Sequence, residues 1–179
     1  MKSYIEVSSP KGGVGVSTTA CAIAVGLAKE GNKVLLVDMN DDGDMNAIMP
    51  THSENITIVS KNSGHTYEPN HDYMVVDAGN QTFDYPNNIA VHRIGVVRND
   101  YLSLKGVTQS PMKHEYHNFI AYIIPSNCLT KHDVANVLRK KVVSVEMSEG
   151  VARSIDAGLF EPRWEKHFEE SYQDMKVWG

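Results

Sequence analysis

The sequence predicts an α/β fold, with a mostly parallel twisted sheet that carries helices on both faces. Three observations support this prediction. A β-prone run at residues 4–7 enters a glycine-rich turn, and an alanine-rich helix follows at residues 16–29. A nearly continuous apolar run at residues 33–38 is typical of a parallel strand buried on both faces. A third apolar run at residues 73–77 ends, like the second, in an aspartate.

Length and composition favour a globular protein. With 179 residues, of which 41% are hydrophobic and 22% charged, the chain is predicted to form a single domain over residues 1–179. No run of 18 apolar residues is present, and the N-terminus has no apolar signal core. We therefore expect a cytoplasmic protein with no role at a membrane.

Charge and cysteine usage narrow the function classes. The net charge of −5 at pH 7 argues against strong nucleic-acid binding by the whole surface, so any DNA contact requires a local basic patch. Cys21 and Cys128 lie far apart and without CxxC spacing. We expect both to be buried, reduced thiols.

The glycine-rich turn has the strand–loop–helix context that a phosphate-binding loop requires. Gly12, Gly13 and Gly15 allow the backbone to approach an anion closely and to adopt positive φ angles. The following helix directs unpaired N–H groups and a partial positive charge toward the turn. Ser17 stands where a hydroxyl would bind Mg²⁺, and Thr18 lies one residue deeper in the helix.

Two predicted strands each deliver a carboxylate, Asp38 and Asp77, to the end of the sheet where the glycine turn lies. The 73–77 run has the form of a Walker B strand, in which the aspartate holds Mg²⁺ through a water. The segment 38–44 is rich in acids, and a solvated acidic loop is the alternative interpretation of it. Its distance from the glycine turn favours a role in the site.

Residues 11–18 read KGGVGVST and resemble the deviant Walker A box of the ParA/MinD family of partition ATPases, in particular its ParA/Soj-like members. Lys11 matches the signature lysine of that family. The resemblance implies a P-loop NTPase fold that binds ATP or ADP with Mg²⁺. It implies nucleotide binding by Lys11, Gly12, Gly13, Val14, Gly15, Val16, Ser17, Thr18 and, in the loop that borders the adenine, Pro125. It implies metal binding by Ser17, Asp38 and Asp77, and catalytic roles for Lys11, Asp38 and Asn40.

The sequence departs from the family pattern at four places, two of them in the glycine loop. Pro10 occupies the first glycine position of the general P-loop, and Val16 occupies the position of the loop lysine. In the segment that resembles switch I, Gly43 matches, but Asn40 replaces the aspartate that orients the attacking water. Residues 77–80 replace the family's Asp-x-Pro-Pro turn. We expect weakened nucleotide binding and slow or absent hydrolysis.

The resemblance also implies a cellular role and partners. In the family, ATP is sandwiched between two subunits, the homodimer binds DNA non-specifically, and a ParB-like centromere-binding adaptor stimulates hydrolysis. A DNA-bound protein of this kind is nucleoid-associated. MinD-type proteins end in a basic amphipathic membrane helix, whereas the final segment of this chain is rich in glutamate. We therefore do not expect membrane binding.

A basic stretch late in the sequence supplies the candidates for DNA binding. These are Lys131, Arg139, Lys140, Lys141 and Arg153. The alternative interpretation is that cations at a helix C-terminus complement the helix dipole.

Two other functions remain open at this point. A pseudo-ATPase could keep the fold and bind a partition system without hydrolysis. An NAD-binding oxidoreductase could use Gly13, Gly15, Thr18 and Asp38 as a Rossmann fingerprint, although Thr18 replaces its third glycine. A metal site at residues 114–117 is not expected, because its histidines are three apart and lack a third ligand.

The remaining elements follow from local patterns. Strands are predicted at 56–59, 94–97, 119–124 and 142–145, and helices after an N-cap at Asp100, after a capping box at Thr130, and at 149–157 and 162–175. The last helix carries Trp164, Phe168 and Tyr172 on one face, which is typical of a core face. Residues 45–72 give little signal.

Overall fold

The computed structural model describes residues 3–40, 44–61, 70–81, 85 and 89–176. It contains a seven-stranded, all-parallel sheet in the order β3-β2-β4-β1-β5-β6-β7. The strands are β1 Ser3–Ser8, β2 Val34–Asp38, β3 Ile56–Ser60, β4 Tyr73–Gly79, β5 Val91–Arg98, β6 Asn118–Ile123 and β7 Val142–Glu146. The predicted fold class is confirmed, and each strand matches a predicted apolar run.

Six α-helices lie among the described residues. They are α1 Val16–Lys29, α2 Asp44–Ile48, α3 Tyr101–Gln109, α4 Lys131–Leu138, α5 Glu149–Asp156 and α6 Trp164–Met175. Two short 3₁₀ helices, Pro111–His114 and Glu161–Arg163, precede β6 and α6. The sequence did not predict α2 or the first 3₁₀ helix. None of the described helices is long and apolar enough to span a membrane.

One face of the sheet packs against α1 and α6. The predicted apolar face of α6 is confirmed, because Trp164, Phe168 and Tyr172 are each at most 2% exposed. Trp164 Nε1 donates to the Ala22 carbonyl of α1 at 2.8 Å, so the indole buries its polar atom with a partner. A Cβ at Gly26 would lie 2.5 Å from the Tyr172 ring, so only glycine allows this close approach of α6 to α1.

The opposite face packs against α3 and α4, whose buried side chains form a second apolar cluster with β5 and β6. The predicted caps of both helices are confirmed. Asp100 accepts from the Ser103 N–H, and Thr130 forms a capping box with Asp133. Each cap satisfies N–H groups that the first helical turn leaves free.

The two cysteines lie in different environments. Cys21 is buried, but Cys128 is exposed, because it lies in the loop after β6 rather than in an element that packs on the sheet. The expectation of a second buried thiol was therefore wrong. Gly43 and most of the loop predicted at residues 61–71 lie outside the described residues. Within the described part of the chain, no group of three or more His, Cys, Asp or Glu residues could hold a metal ion.

Candidate functional site

The strand order brings three loops together at the edge where the strands end. β1 lies beside β4, and β2 lies on the other side of β4, so the loop after β1 faces the ends of β2 and β4. Asp38 and Asp77 are register partners on these two neighbouring strands. A cleft of about 470 Å³ opens here between the glycine loop, Asn40, α2 and the turn after β4.

The glycine loop has a backbone shape that side chains would disturb. Gly13 has φ 71° and Gly15 has φ 107°, both in the region that favours glycine. A Cβ at Gly15 would lie 2.6 Å from the ring of Tyr122 on β6. The Tyr122 hydroxyl lies 2.9 Å from Thr19 Oγ1, which in turn donates to the Gly15 carbonyl at 2.8 Å. Tyr122 therefore supports the loop from below, a role that sequence reasoning missed.

The first turn of α1 faces the cleft. Gly15 is its N-cap, and the first backbone bond of the helix runs from the Thr19 N–H to the Gly15 carbonyl at 2.9 Å. The N–H groups of residues 16–18 precede that bond and have no intrahelical acceptor. Val16, Ser17 and Thr18 all line the cleft, so this helix end offers donors and a partial positive charge to an anion.

The two aspartates are buried on neighbouring strands behind the cleft. They are not among its lining residues, but the Ser17 and Asn40 side chains, which do line it, interact with Asp77. Asp38 is 2% exposed and Asp77 is fully buried. One oxygen of each accepts a backbone bond at 2.9 Å, Asp38 from the Asn40 N–H and Asp77 from the Gly79 N–H. The other oxygen, Oδ2, has no hydrogen-bond partner among the described residues. Two buried carboxylates with free oxygens at one place are costly unless a cation compensates them.

The electrostatics agree with a cation site. Burial raises the pKa of Asp38 and of Asp77 above the usual aspartate range. A neighbouring acid raises each pKa further: Asp44 acts on Asp38, and Asp38 acts on Asp77. The Ser17 and Asn40 side chains partly offset burial by favouring the charged form of Asp77. Mg²⁺ is held by one or two carboxylates together with substrate phosphates. Asp38, Asp77 and the Ser17 hydroxyl fit that donor set.

Asn40 sits against the turn after β4. A Cβ at Gly79 would lie 2.2 Å from Asn40 Oδ1, and Gly79 itself has φ 57°. Glycine at this position therefore lets the loops after β2 and β4 touch. Both Asn40 and Gly79 line the cleft. The departure of residues 77–80 from the family turn thus coincides with the close packing of an asparagine.

The charge that the loop keeps is on Lys11. Lys11 lines the cleft, and its amine lies 3.3 Å from Asp100 Oδ1 at the start of α3. Val16 is the first residue of α1 and is 8% exposed, and it adds an apolar side chain where the family pattern has a lysine. Among the described residues that line the cleft, Lys11 is the only lysine or arginine.

Other predicted or unexpected residues complete the picture. Val14 is 2% exposed and belongs to the core, and Pro125 is exposed in the loop after β6, so neither lines the cleft. That loop is held by buried Asn99, whose side chain bonds the backbone of Ile124 and Leu129. Asp44 of α2 also lines the cleft, although a helix was not predicted there.

A family model described as an AAA domain matches residues 2–132. The chain belongs to this AAA domain family. The match spans the glycine loop, both aspartates and the capped start of α4. No curated protein matches the sequence.

Solved structures agree with the assignment to the AAA domain family. MinD from Pyrococcus furiosus, a cell division ATPase, superposes with a TM-score of 0.72 at 13% identity, covering 100% of both chains. A MinC:MinD cell division complex from Aquifex aeolicus gives 0.69 at 17% identity, covering 97% of this chain and 95% of that one. A putative plasmid partition protein from Borrelia burgdorferi bound to AMPPNP gives 0.65 at 16% identity, covering 98% and 100%. The fold is that of ParA/MinD-type P-loop ATPases.

The strand order also separates this AAA domain from a dinucleotide-binding fold. In the Rossmann order 3-2-1-4-5-6, the strand that carries the ribose-binding acid adjoins the first strand. Here β4 lies between β1 and β2, so Asp38 is two strands away from the glycine loop's strand. The NAD hypothesis, which needed Asp38 on the strand beside β1, does not fit this order.

The predicted basic residues of the AAA domain differ in the partners that they have within the chain. Lys140 Nζ donates to the backbone carbonyls of His114, at 3.0 Å, and Tyr116. Lys141 Nζ donates to the Asp174 carbonyl, and Arg153 pairs with Glu149 within α5. Three of the five candidates thus already have partners within the chain.

The two remaining candidates lie at opposite ends of one helix. Lys131 is the first residue of α4, and Arg139 is the C-cap at the end of that helix, with φ 53°. Lys131 lines a groove of about 490 Å³ along β7 that also contains Glu146, Glu165, Glu169, Glu170 and Asp174. This groove is acidic, so it does not favour phosphate contacts. DNA binding by these residues stays a prediction.

Proposed function

We propose that the chain is a ParA-like, nucleotide-dependent partition protein that binds ATP or ADP with Mg²⁺ in the cleft beside the glycine loop. The observation that carries this proposal is the juxtaposition of an anion-binding helix end with two buried carboxylates that keep free oxygens. A magnesium–phosphate group satisfies both halves of that arrangement at once.

In this proposal the residues of the chain bind and orient rather than react. The backbone around Gly13 and Gly15 and the first N–H groups of α1 hold the phosphates. The Ser17 hydroxyl, Asp38 and Asp77 are the groups that would hold Mg²⁺. When bound there, Mg²⁺ would supply positive charge that offsets the negative charge developing on the phosphates during phosphoryl transfer. Lys11 supplies the positive side chain closest to the cleft.

Hydrolysis is proposed to be slow. Val16 provides neither charge nor hydrogen bond to the β- and γ-phosphates, and Asn40 is a poorer water-orienting group than aspartate. A charge-assisted hydrogen bond is worth about 1.5–3 kcal/mol, so the loss of the loop lysine could cost about 10–100-fold in affinity. The backbone donors and Ser17 remain, so binding persists.

The partition role rests on the neighbours and on the family resemblance. The names of the structural relatives include a ParA family ATPase and a putative plasmid partition protein. By analogy, ATP promotes a homodimer in the cytoplasm, this dimer binds DNA non-specifically, and a ParB-like adaptor regulates it. Lys131 and Arg139 are the exposed cations proposed to contact DNA, with Lys140, Lys141 and Arg153 as further candidates.

A pseudo-ATPase is the second candidate, and a specific observation favours it. Val16 lines the cleft at the lysine position, and Asn40 packs against Gly79 where the family has a water-orienting aspartate. Such a module would bind nucleotide and partners without turnover. It shares the binding step of the leading proposal and differs only in hydrolysis.

Thermal shift with ATP–Mg²⁺, ADP and NADH tests binding first, because stabilisation grows as RT ln(1 + [L]/Kd). Stabilisation by ATP–Mg²⁺ and ADP, and none by NADH, is expected. The ATPase rate of the unmodified chain, Val16→Lys, Asn40→Asp and the double variant, with DNA present, then separates the two candidates. The double variant should exceed either single change. If the unmodified chain already matches it, Lys11 or Asp41 supplies the missing roles.

DNA binding needs its own measurement. If Lys131 and Arg139 contact phosphates, affinity should fall steeply as salt rises, and Lys131→Glu with Arg139→Glu should reduce the slope. Absence of binding at about 50 mM salt would remove the DNA role from the isolated chain.

A further inference from the structure

Lys11 makes an ion pair that the family resemblance does not account for. Its amine lies 3.3 Å from Asp100 Oδ1, and the two side chains are 31% and 27% exposed. Asp100 follows β5, so this contact draws the amine toward α3. The carboxylates Asp38 and Asp77 lie on the other side of β1, at the ends of β2 and β4.

Asp100 is itself held firmly. As the N-cap of α3, its Oδ1 accepts from the Ser103 N–H at 2.8 Å, while Arg98 Nε lies 3.7 Å from its Oδ2. Partial burial acts to raise the pKa of this carboxyl, but the Ser103 N–H, Lys11 and Arg98 together lower it. The acid is therefore charged at neutral pH, and it keeps two partners even when Lys11 moves away.

We propose that Asp100 is a positioning residue that holds Lys11 on the α3 side of the cleft until the phosphates of a nucleotide replace it. This inference rests on the proposed function of the cleft. Lysine carries its charge on a flexible stem with three donors, so it can exchange one anionic partner for another without backbone movement. A nucleotide phosphate offers more charge and more acceptors than one carboxylate.

The exchange matters because of Val16. With no lysine at the start of α1, Lys11 is the only lysine or arginine among the described residues that line the cleft. Any anionic group that pairs with the Lys11 amine therefore competes directly with the phosphates of the nucleotide. Asp100 therefore lowers nucleotide affinity, and the remaining contacts of Asp100 to Ser103 and Arg98 limit the cost of releasing Lys11.

Asp100→Asn separates charge from capping, because asparagine caps a helix about as well as aspartate. It should leave thermal stability without nucleotide nearly unchanged. It should tighten ATP–Mg²⁺ binding about threefold to fivefold, which is the range of a partly exposed ion pair. Asp100→Glu, which restores the charge, should return affinity toward that of the unmodified chain. Asp133→Asn, at the cap of α4 and remote from the cleft, should not change affinity.

The same change in a Lys11→Met background tests whether the effect passes through Lys11. We expect the gain from Asp100→Asn to be at least about twofold smaller there. Equal gains in ATP–Mg²⁺ affinity in both backgrounds would mean that Asp100 acts only through its negative charge and not through Lys11. Weaker binding by Asp100→Asn would mean that Asp100 delivers Lys11 to the phosphates. Either result overturns the inference.

A readout without nucleotide distinguishes failure of the inference from failure of the proposed function. In carbon-13 NMR, the pKa of the Asp100 carboxyl should rise when Lys11 is changed to Met, because one partner of the charged form is lost. No rise overturns the ion pair, and the inference with it. A rise together with no ATP–Mg²⁺ binding by any variant refutes the proposed function and the exchange, while the ion pair itself stands.

Discussion

The glycine loop and the basic residues were both identified as candidate sites in the sequence, but their surroundings in the structure differ. The loop residues line one cleft, and the buried pair Asp38 and Asp77 lies behind Ser17 and Asn40 of that lining. Lys140 and Lys141 instead donate to backbone carbonyls of their own chain, and Arg153 pairs with Glu149. A motif within one strand–loop–helix unit thus predicted its own geometry, whereas the count of cations did not predict the partners of each cation.

The reason is the range of the interactions. The geometry of a βαβ unit fixes where a loop after β1 lies relative to the helix that follows it, and right-handed crossover fixes the neighbouring strands. The partner of an exposed lysine depends on which distant carbonyl lies within reach. The predictions below test each side of this comparison.

The largest effect is expected at the glycine loop. Gly15→Ala places a Cβ at positive φ and 2.6 Å from the Tyr122 ring. Strain and overpacking together should cost about 2–5 kcal/mol of unfolding free energy and abolish nucleotide binding. Gly12→Ala is the matched control, since its Cβ would meet nothing within 4 Å. Denaturant unfolding of both variants measures this, and equal stabilities would contradict the described loop.

The next effect is expected at the buried carboxylates. Because burial raises the pKa of Asp77 above about 3.8, its charged form destabilises the fold, and stability is lost as pH rises through the folded pKa. Asp77→Asn removes that loss. The unliganded variant should be more stable than the unmodified chain at neutral pH.

The same variant should lose metal-dependent ligand binding. Stability curves of Asp77→Asn and the unmodified chain should converge only below about pH 4, where the carboxyl is protonated in both the folded and the unfolded state. The affinity of Asp77→Asn for ATP–Mg²⁺ should fall by about 10–100-fold relative to the unmodified chain. A variant that is less stable at every pH, or that keeps full Mg²⁺ dependence, would show that Asp77 serves the fold rather than a cation.

A smaller effect is expected at the basic residues. Lys140→Ala removes an ammonium that donates to the carbonyls of His114 and Tyr116, which should cost about 1–2 kcal/mol of unfolding free energy. Lys131→Ala, at an exposed position, should stay within about 0.5 kcal/mol of the unmodified chain. Thermal unfolding compares them. If Lys140→Ala is as stable as the unmodified chain, the hydrogen bonds of Lys140 to His114 and Tyr116 do not stabilise the fold.

The comparison also shows what the sequence could predict. All seven strands and the bounds of α1 followed from apolar runs and from glycine signals such as Gly31, which has positive φ at the end of α1. Helix α2 was missed because five residues in a polar segment carry too little periodicity. Its acidic first turn, with Asp44, was the available signal.

The contacts that support the site could not be predicted from the sequence, for a different reason. Tyr122 lies 103 residues from Thr19, and Lys11 lies 89 residues from Asp100. Only the sheet order brings these pairs together, and no local pattern encodes it. Asn99 was likewise unremarkable in the sequence, although its buried side chain organises the loop after β6.

The central claim is that this cleft binds a magnesium nucleotide despite an apolar residue at the loop-lysine position. Calorimetric titration of ATP into the unmodified chain and into Val16→Lys, each with and without Mg²⁺, tests it directly. We expect Mg²⁺-dependent binding by both, with Val16→Lys tighter by about 10–100-fold, because the new ammonium meets the phosphates. Absence of ATP binding by both proteins, or equal affinity with and without Mg²⁺, would contradict the account.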